Sequence, residues 1–389
     1  MHSSPVKLFV AFMLAGLVAA APLRAQNEVI PSVHHDYRIV ELVEGLENPW
    51  SLAFLPNGDM LVTERPGRLR LVSNGMLVDE PVSGVPAVHA VGQGGLLEVA
   101  LHPNFSSNRL VYLTMSKANA DTSESTTSVV RGRYENGALT DVEEVFEAAA
   151  WSERNGHYGS RIVFDADGYL FITIGDRQAP PSGDLEAHPA QDLSTHQGTI
   201  VRLHDDGSVP SDNPFVDEEG ALPEIWSYGH RSPQGFAIHP ETGDLWETEH
   251  GPQGGDELNL IEPGLNYGWP VIGYGVNYGS GDAIHSTTTM EGMEQPDHIW
   301  VPSIATSGLA AYSGSRFPEW QGDLFAGGLR GMQLARLDLN GPEVVREETL
   351  VLNRSRIRDV RQGPDGYIYL VYDNAGEGTP SVVRLEPAN

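Results

Sequence analysis

Cysteine is missing from this chain of 389 residues. Its absence excludes a disulfide framework, a thiolate zinc site, a lipid-anchor cysteine and cysteine catalysis, so any bound metal must use oxygen or imidazole ligands. Lysine is nearly absent too: Lys7 and Lys117 are the only two, and almost all positive charge is arginine. The formal net charge of −29 argues against a nucleic-acid partner, because an acidic protein repels phosphates.

Long hydrophobic runs are confined to the N-terminus. Residues 1–25 combine Lys7, the apolar run LFVAFMLAGLVAAA and a small-residue cleavage site after Ala25, which is the pattern of a secretory signal peptide. No later run is long enough to span a bilayer. The sequence therefore predicts an exported chain without a membrane span, most simply periplasmic, whose folded part is one domain over residues 26–389.

One short pattern recurs along the chain: an apolar strand, a glycine turn and a second strand rich in Val, Ile, Leu and Tyr. Asn-Gly, Asp-Gly and Thr-Gly at the turns are typical of β-hairpins. Four clear and two weaker copies lie at 51–65, 161–176, 235–250, 359–373, 99–115 and 317–330. Six hairpins at a mean period of roughly 60 residues predict an all-β fold, a six-bladed β-propeller formed by a single domain.

Three long polar segments fall outside this pattern, at 118–128, 178–197 and 279–298. Connections of this length are often functional lids or insertions. We therefore expect all three to be loops at one rim of the propeller.

The informative polar residues stand immediately before the repeated strands. Gln93 precedes the second hairpin, His157 the third, Arg231 the fourth, and Arg356 with Arg358 the sixth. In a closed ring the starts of successive blades face one another across the mouth of the channel, so these residues are expected to form one site. Taken singly, His157 is either a structural side chain or a base, and the arginines are either ion-pair partners or an anion site.

Arg356 and Arg358 form a pair on one side of an extended strand, because side chains alternate along it. Two guanidinium groups held this close repel each other unless an anion lies between them. A polycarboxylate ligand would supply that anion. The spacing therefore favours an anionic ligand at this point of the ring.

The segment TEHGPQGGDELNLIEPGLNYGWP, residues 248–270, follows the fourth hairpin. Its glycines and Pro252 can turn several carbonyl oxygens toward one point. Such an arrangement suits a hard cation such as calcium. A tight loop between two strands is the alternative interpretation.

Several longer motifs extend these observations over most of the chain. They are GQGGLLEVALHP (92–103), HYGSRIVF (157–164), GTIVRLHDDGSVPSDNPF (198–215), the segment 229–270 that begins GHRSPQGFAIHP, and RIRDVRQGPDG (356–366). From about Leu46 to Val383 the chain closely resembles the soluble quinoprotein sugar dehydrogenases. These are aldose dehydrogenases that use pyrroloquinoline quinone (PQQ) and calcium.

The resemblance implies a reaction and a division of roles. His157 matches the general base that takes the proton from the anomeric hydroxyl of an aldose, and an imidazole has a suitable pKa for this task. The C1 hydride would pass to PQQ and leave an aldonolactone. Calcium held by the backbone oxygens of Gly251 and Pro252 would polarise the quinone as a Lewis acid.

Further residues match the cofactor and metal positions of the family. The matched cofactor residues are Gln93, Arg231, Ser232, Tyr278, Arg330, Arg356 and Arg358. Glu257 and the backbone of Tyr267 match a second calcium site, with Asp256 beside the cofactor calcium or the catalytic pocket. The chain departs from the family at two of these positions. Ser232 stands where asparagine is usual, and Arg330 stands in place of a lysine.

Two other functions remain compatible with a propeller of this kind. A calcium-dependent propeller lactonase or esterase would ligate its channel calcium with carboxylates and amides from several blades, whereas His157, Arg231 and the arginine pair suit an anion better. A non-catalytic propeller that binds a partner is the second alternative. The quinoprotein interpretation implies an aldose substrate, an electron acceptor of unknown identity, and a monomer or homodimer.

Overall fold

In the computed structural model, which describes residues 28–373 and 379–388, 24 strands form six antiparallel sheets of four strands each. The predicted signal peptide, residues 1–25, lies outside the described residues. None of the helices found in the described part of the chain has the length and apolar character needed to cross a bilayer.

The strands have the following bounds in chain order. They are β1 (Tyr37–Glu44), β2 (Pro49–Phe54), β3 (Met60–Glu64), β4 (Arg68–Ser73), β5 (Met76–Leu77), β6 (Leu96–Leu101), β7 (Leu110–Ala118), β8 (Ser125–Glu135), β9 (Ala138–Glu147), β10 (Ile162–Phe164), β11 (Leu170–Ile174), β12 (Thr199–Leu203), β13 (Ile225–Tyr228), β14 (Pro233–Ile238), β15 (Leu245–Glu249), β16 (Asp256–Ile261), β17 (His298–Trp300), β18 (Thr306–Ala311), β19 (Leu324–Gly328), β20 (Gln333–Asn340), β21 (Glu343–Leu350), β22 (Ile357–Gln362), β23 (Ile368–Tyr372) and β24 (Ser381–Pro387). The helical elements are short: α1 (Phe105–Asn108) and the 3-10 helices Leu185–Ala187, Pro189–Gln191 and Pro318–Trp320.

Each sheet is one blade, and the blades form a closed ring. The inner strands β2, β6, β10, β14, β18 and β22 each contact the inner strands of both neighbouring blades, and β22 returns to β2. In five blades the second strand (β3, β11, β15, β19 and β23) is buried at every position. A blade packed between two others has both faces covered, so these strands are largely apolar, and the Thr and Glu side chains of β3 and β15 are buried as well. The predicted six-bladed β-propeller is confirmed.

The ring is closed by the N-terminal strand. Strand β1 pairs antiparallel with β24 and becomes the outer strand of the last blade, in the order β1-β24-β23-β22. The buried Tyr37 hydroxyl also accepts a hydrogen bond from the backbone N–H of Val351 at 2.9 Å. The repeat pattern did not identify this strand, because β1 is an outer strand without a hairpin partner nearby in sequence.

The expectation of a rim loop at 118–128 is wrong. Residues Ser125–Ser128 belong to β8 and pair with β7, so only 119–124 form a turn. The Ser and Thr side chains here are buried. Thr126 and Thr127 donate to the carbonyls of Ala148 and Tyr158 at 2.7 and 2.8 Å, and the two serine hydroxyls bond to polar side chains. The other two polar segments are connections, and 178–197 contains two of the short 3-10 helices.

A buried ionic network joins the inner strands across the hub. Arg161 Nη1 lies 2.7 Å from Glu98 Oε2 and 2.8 Å from Asp359 Oδ1, and its Nε donates to the Gln234 carbonyl at 2.7 Å. Arg361 pairs with the same two carboxylates. Two guanidinium groups thus match two carboxylates: Glu98 lies on β6, Asp359 and Arg361 lie on β22, and Arg161 belongs to the loop that enters β10. The network fixes the position of the loop that bears His157.

Candidate active site

The loops that precede the inner strands border two adjacent cavities at one end of the channel. One, the arginine cavity, has a volume of about 350 Å³ and is bordered by Trp50, Arg356 and Arg358. The other, the histidine cavity, has a volume of about 370 Å³ and is bordered by His157 and Arg231. Gln93 and His250 border both cavities. The ring therefore brings most of the predicted site residues together.

His157 is held by a chain of hydrogen bonds. Its Nδ1 lies 2.7 Å from Asp176 Oδ1, and Asp176 Oδ2 accepts from Trp269 Nε1 at 2.8 Å. The backbone N–H of His157 donates to Gln93 Oε1 at 2.8 Å, and its φ of 48° lies in the left-handed region. No described residue bonds to Nε2. The ring is thus fixed by its Nδ1 side and presents Nε2 to the cavity.

The electrostatic surroundings keep His157 neutral. Burial lowers its pKa, Asp176 opposes that shift, and the nearby Arg231 charge reinforces it. Burial alone would raise the pKa of Asp176, but His157 and Arg231 outweigh it and the pKa is lowered. A neutral imidazole beside an ionised carboxylate donates from Nδ1 and keeps the Nε2 lone pair free. This is the protonation state that a general base requires.

The arginine pair, Arg356 and Arg358, has an anionic partner within the protein. Asp373 Oδ2 lies 3.2 Å from Arg358 Nη2 and 3.9 Å from Arg356 Nη2. Even so, the Nε groups of Arg231, Arg356 and Arg358 are buried without a hydrogen-bond partner. Burial lowers the pKa of Arg358 to about 10, with Arg356 acting in the same direction and Asp373 against it. Three guanidinium groups, two at the arginine cavity and one at the adjacent histidine cavity, thus retain unused donors for an anionic ligand.

The Gly-Pro loop makes a close turn after β15. A Cβ atom on Gly251 would lie 2.1 Å from the carbonyl oxygen of Gly255, so only glycine permits this close turn. Arg231 Nη1 donates to the Gly251 carbonyl at 2.8 Å, which places a cationic group on an oxygen predicted to hold calcium. Asp256 accepts from the Gly251 N–H at 3.1 Å and from Ser303 Oγ at 2.7 Å, and so holds the loop in place.

The predicted metal residues surround one very small cavity. Gly251, Pro252, Glu257 and Tyr267 all border a space of about 10 Å³, roughly that of a single water-sized atom or ion. Burial raises the pKa of Glu257 well above its usual value, and the neighbouring Glu249 raises it further. A carboxylate in such surroundings gains stability from a cation. The donor set therefore fits calcium.

Three predicted cofactor residues differ in their placement. Ser232 is buried and borders the arginine cavity, where its N–H donates to Glu249 Oε2 at 3.1 Å. Tyr278 borders the histidine cavity but is 65% exposed. Arg330 is exposed and borders neither cavity, whereas its neighbour Leu329 borders the arginine cavity. The role assigned to Arg330 stays a prediction without support from its position.

Sequence reasoning missed Asp176, Trp269 and Asp373. A signal for the two aspartates was present, because all four clear hairpin repeats place an acidic residue at or just after the end of the second strand. These residues are Glu64, Asp176, Glu249 and Asp373. No comparable signal marked Trp269, which reaches Asp176 from a position 93 residues away.

Known proteins resemble this chain over nearly its whole length. Residues 46–381 match the family described as Glucose / Sorbosone dehydrogenase. An aldose sugar dehydrogenase of Escherichia coli K12 is 41% identical over 395 residues, spanning 100% of both chains.

Two solved structures show the same architecture. The apo-form of the soluble aldose sugar dehydrogenase from Escherichia coli has a TM-score of 0.82 at 40% identity, covering 90% of this chain and 99% of that one. The PQQ-bound form of an aldose sugar dehydrogenase from Streptomyces coelicolor has a TM-score of 0.73 at 29% identity, covering 90% and 98%. The resemblance read from the motifs is confirmed: this chain belongs to the glucose/sorbosone dehydrogenase family.

Proposed function

We propose that this protein is a quinoprotein that oxidises aldoses at C1 to aldonolactones, with PQQ and calcium as cofactors. The observation that supports this most directly is the His157–Asp176 pair, which shares the histidine cavity with Arg231 and lies next to the arginine cavity with Arg356 and Arg358. A neutral imidazole thus lies close to unused guanidinium donors. That combination suits removal of a proton next to a bound anion, and the family membership supplies the class of reaction.

The residues present fit the cofactor. PQQ is a tricarboxylate, and the buried Nε groups of Arg231, Arg356 and Arg358 lack other partners. Gln93, Ser232 and Tyr278 border the same two cavities, and the Gly251 and Pro252 carbonyls would hold calcium. When bound, PQQ supplies the acceptor for the C1 hydride of the sugar and calcium supplies a Lewis acid that polarises the quinone.

The chain itself performs the proton transfer. His157 Nε2 accepts the proton of the anomeric hydroxyl as the C1 hydride leaves, which converts the C1–OH carbon to the lactone carbonyl. Asp176 accepts the Nδ1–H bond and stabilises the imidazolium that results. The Trp269 N–H keeps Asp176 aligned, and burial of all three residues excludes water from their bonds.

The test is reconstitution of the apoprotein with PQQ and calcium. We expect dye-linked oxidation of aldoses, loss of the oxidised-quinone absorption band on addition of sugar, and lactone as the product. Without PQQ the chain should show no sugar oxidation. Lactone or aryl-ester hydrolysis without the quinone would instead indicate a calcium-dependent hydrolase, and a folded, PQQ-saturated protein inactive on every aldose would contradict the proposal.

Replacing Asp176 by asparagine should lower kcat by roughly tenfold or more, since it removes the charge that favours the imidazolium. Burial lowers the pKa of His157 and Asp176 opposes that shift, so removing the carboxylate lowers the pKa further. The acid limb of the pH–kcat profile should therefore move to lower pH. Asparagine Oδ1 still accepts the Nδ1–H bond, so the ring stays oriented. An unmoved acid limb at wild-type kcat would show that Asp176 does not act on His157.

Replacing Arg358 by alanine should weaken PQQ binding to the apoprotein about 10–100-fold, because a buried charge-assisted hydrogen bond is lost. Quenching of tryptophan fluorescence measures the dissociation constant, since Trp50 and Trp269 border the cavities. Arg330→Ala is the matched control. Its side chain lies outside both cavities, so the constant should change less than about threefold. Equal weakening by both variants would restore Arg330 to the cofactor site.

We also propose that residues 1–25 direct export to the periplasm and are removed after Ala25, on the basis of their composition. Mass spectrometry of the protein recovered from the periplasmic fraction should give an N-terminus at Gln26. Recovery of the chain in the cytoplasm with Met1 still present would contradict export. The electron acceptor that reoxidises the cofactor would then have to be sought in that compartment.

A further inference from the structure

A second group of buried acidic residues lies between the third and fourth blades, beneath the Gly-Pro loop. Glu247 and Glu249 project from β15 on one face, and Glu257 lies directly opposite Glu249 on β16. Within the described residues, no arginine or lysine forms an ion pair with any of the three. Calcium at the site predicted for Glu257 and Tyr267 would neutralise part of this charge but would not account for Glu247.

Among the described residues, no hydrogen-bond donor reaches one of the two carboxylate oxygens of Glu247. Its side chain is completely buried, and its Oε1 has no hydrogen-bond partner. The other oxygen, Oε2, accepts a single bond from Asn259 Nδ2 at 3.2 Å. An unpaired buried carboxylate is strongly unfavourable unless a proton or a cation accompanies it. Burial raises the pKa of Glu247 well above its usual value, and Glu249 raises it further.

His230 and Glu249 complete a set of ligands around Glu247. One ligand atom from each of His230, Glu247 and Glu249 lies within 4.8 Å of the others. His230 Nδ1 and Glu249 Oε1 are 3.3 Å apart, which is the separation of two ligands about 2.0–2.1 Å from a tetrahedral ion. Glu249 Oε2 accepts from the N–H groups of Arg231 and Ser232, whereas Oε1 accepts only a long bond of 3.5 Å from Asn259 Nδ2 and keeps a lone pair for a cation.

The surroundings of His230 are those of a metal ligand. Its Nε2 lies 3.0 Å from Ser227 Oγ, and the Tyr267 ring stacks on the imidazole at 4.7 Å. A ligating histidine commonly donates its other ring N–H to a polar partner, which fixes the tautomer and the ring. With the Nε2–H on Ser227, the Nδ1 lone pair points toward Glu249 and is free to ligate.

We propose that His230, Glu247 and Glu249 form a buried site for a divalent transition-metal ion of the zinc or manganese type. This His230 site adjoins the oxygen-only calcium positions at Gly251, Pro252 and Glu257, since Glu249 borders the same small cavity, but it has a nitrogen ligand and does not depend on the quinone. One imidazole with two carboxylates favours zinc or manganese over calcium, which takes six to eight oxygen ligands. The ion joins the third blade to the fourth and is captured as the chain folds, since all three ligands are buried.

The experiment measures metal content after refolding. The full chain is unfolded in guanidinium with a chelator, refolded with Zn²⁺, Mn²⁺ or Ca²⁺, passed through gel filtration and analysed by plasma mass spectrometry. We expect about one Zn²⁺ or Mn²⁺ per wild-type chain and at least about tenfold less in Glu247→Gln. Glu257→Gln is the matched control, because Glu257 belongs to the predicted calcium site. It should retain the transition metal as the wild type does.

Three outcomes would overturn the inference. They are absence of zinc and manganese from the refolded wild type, equal retention by Glu247→Gln, and a metal lost from Glu257→Gln but not from Glu247→Gln. If Glu247→Gln fails to fold, the wild type alone gives the answer. Its denaturation midpoint should rise when it is refolded with Zn²⁺ or Mn²⁺, and the same midpoint with chelator throughout would refute the site.

Discussion

Replacing His157 by alanine should lower kcat for aldose oxidation by about 10²–10⁴-fold while leaving the fold and PQQ affinity intact. The reason is that Nε2 is the free ring nitrogen in the histidine cavity, with Nδ1 committed to Asp176 at 2.7 Å. Without the imidazole, the anomeric proton has no acceptor while the hydride leaves. Steady-state dye-linked kinetics at saturating PQQ and calcium give the comparison.

His204→Ala is a suitable control for that experiment. His204 is exposed and lies far from both cavity linings, so its replacement should leave kcat unchanged. A His157→Ala enzyme with wild-type kcat would remove the proton-transfer role from this residue. A His157→Ala enzyme that no longer binds PQQ would instead show that His157 is needed to hold the cofactor.

Replacing Arg161 by methionine should lower the free energy of unfolding by about 3–5 kcal/mol, the largest stability effect we expect from one substitution. Arg161 pairs with Glu98 and Asp359 at 2.7 and 2.8 Å, and all three side chains are buried. Its guanidinium also lies 4.1 Å above the Trp50 ring. Without it, two buried carboxylates share only Arg361, so one is left without a full partner. Denaturant unfolding of wild type and variant measures the difference.

The matched control is the exposed pair Arg354–Glu28. Their contact of 2.6 Å is as short as those of Arg161, but both side chains are about half exposed. Arg354→Met should therefore change stability by less than about 1 kcal/mol. A similar small effect for Arg161→Met would mean that blade packing, and not the ionic network, holds the hub.

Much of the architecture could be predicted from the sequence because propeller blades are packed on both faces. Strands such as β11 (Leu170–Ile174) are buried at every position, so they are mostly apolar and stand beside a glycine turn. Strand β1 was missed because an outer strand has mixed burial and finds its partner β24 at the opposite end of the chain. The segment 118–128 was misjudged because its Ser and Thr side chains are buried through hydrogen bonds rather than by apolar character.

Some residues of the candidate site were predicted from the sequence, and others were found only in the structure. The motifs identified His157, the arginines and the Gly-Pro loop, since these residue types and spacings are unusual in themselves. They did not identify Asp373 as the anion beside Arg358, nor Asp176 as the partner of His157. Acidic residues are common in a chain of net charge −29, and the repeated acidic position at or just after the end of the second strand of each clear hairpin does not show which basic group the carboxylate meets.

Sequence alone determined the repeated hairpins, the absence of thiol chemistry and the family of this protein, because each is recorded in local composition and spacing. Only the tertiary structure determined which charged and polar side chains contact one another. Arg161 reaches Asp359 across 198 positions, and Trp269 reaches Asp176 across 93. The pKa shifts of His157, Arg358 and Glu247 arise only when the closed ring buries them, since desolvation depends on neighbours that the chain brings together from distant blades.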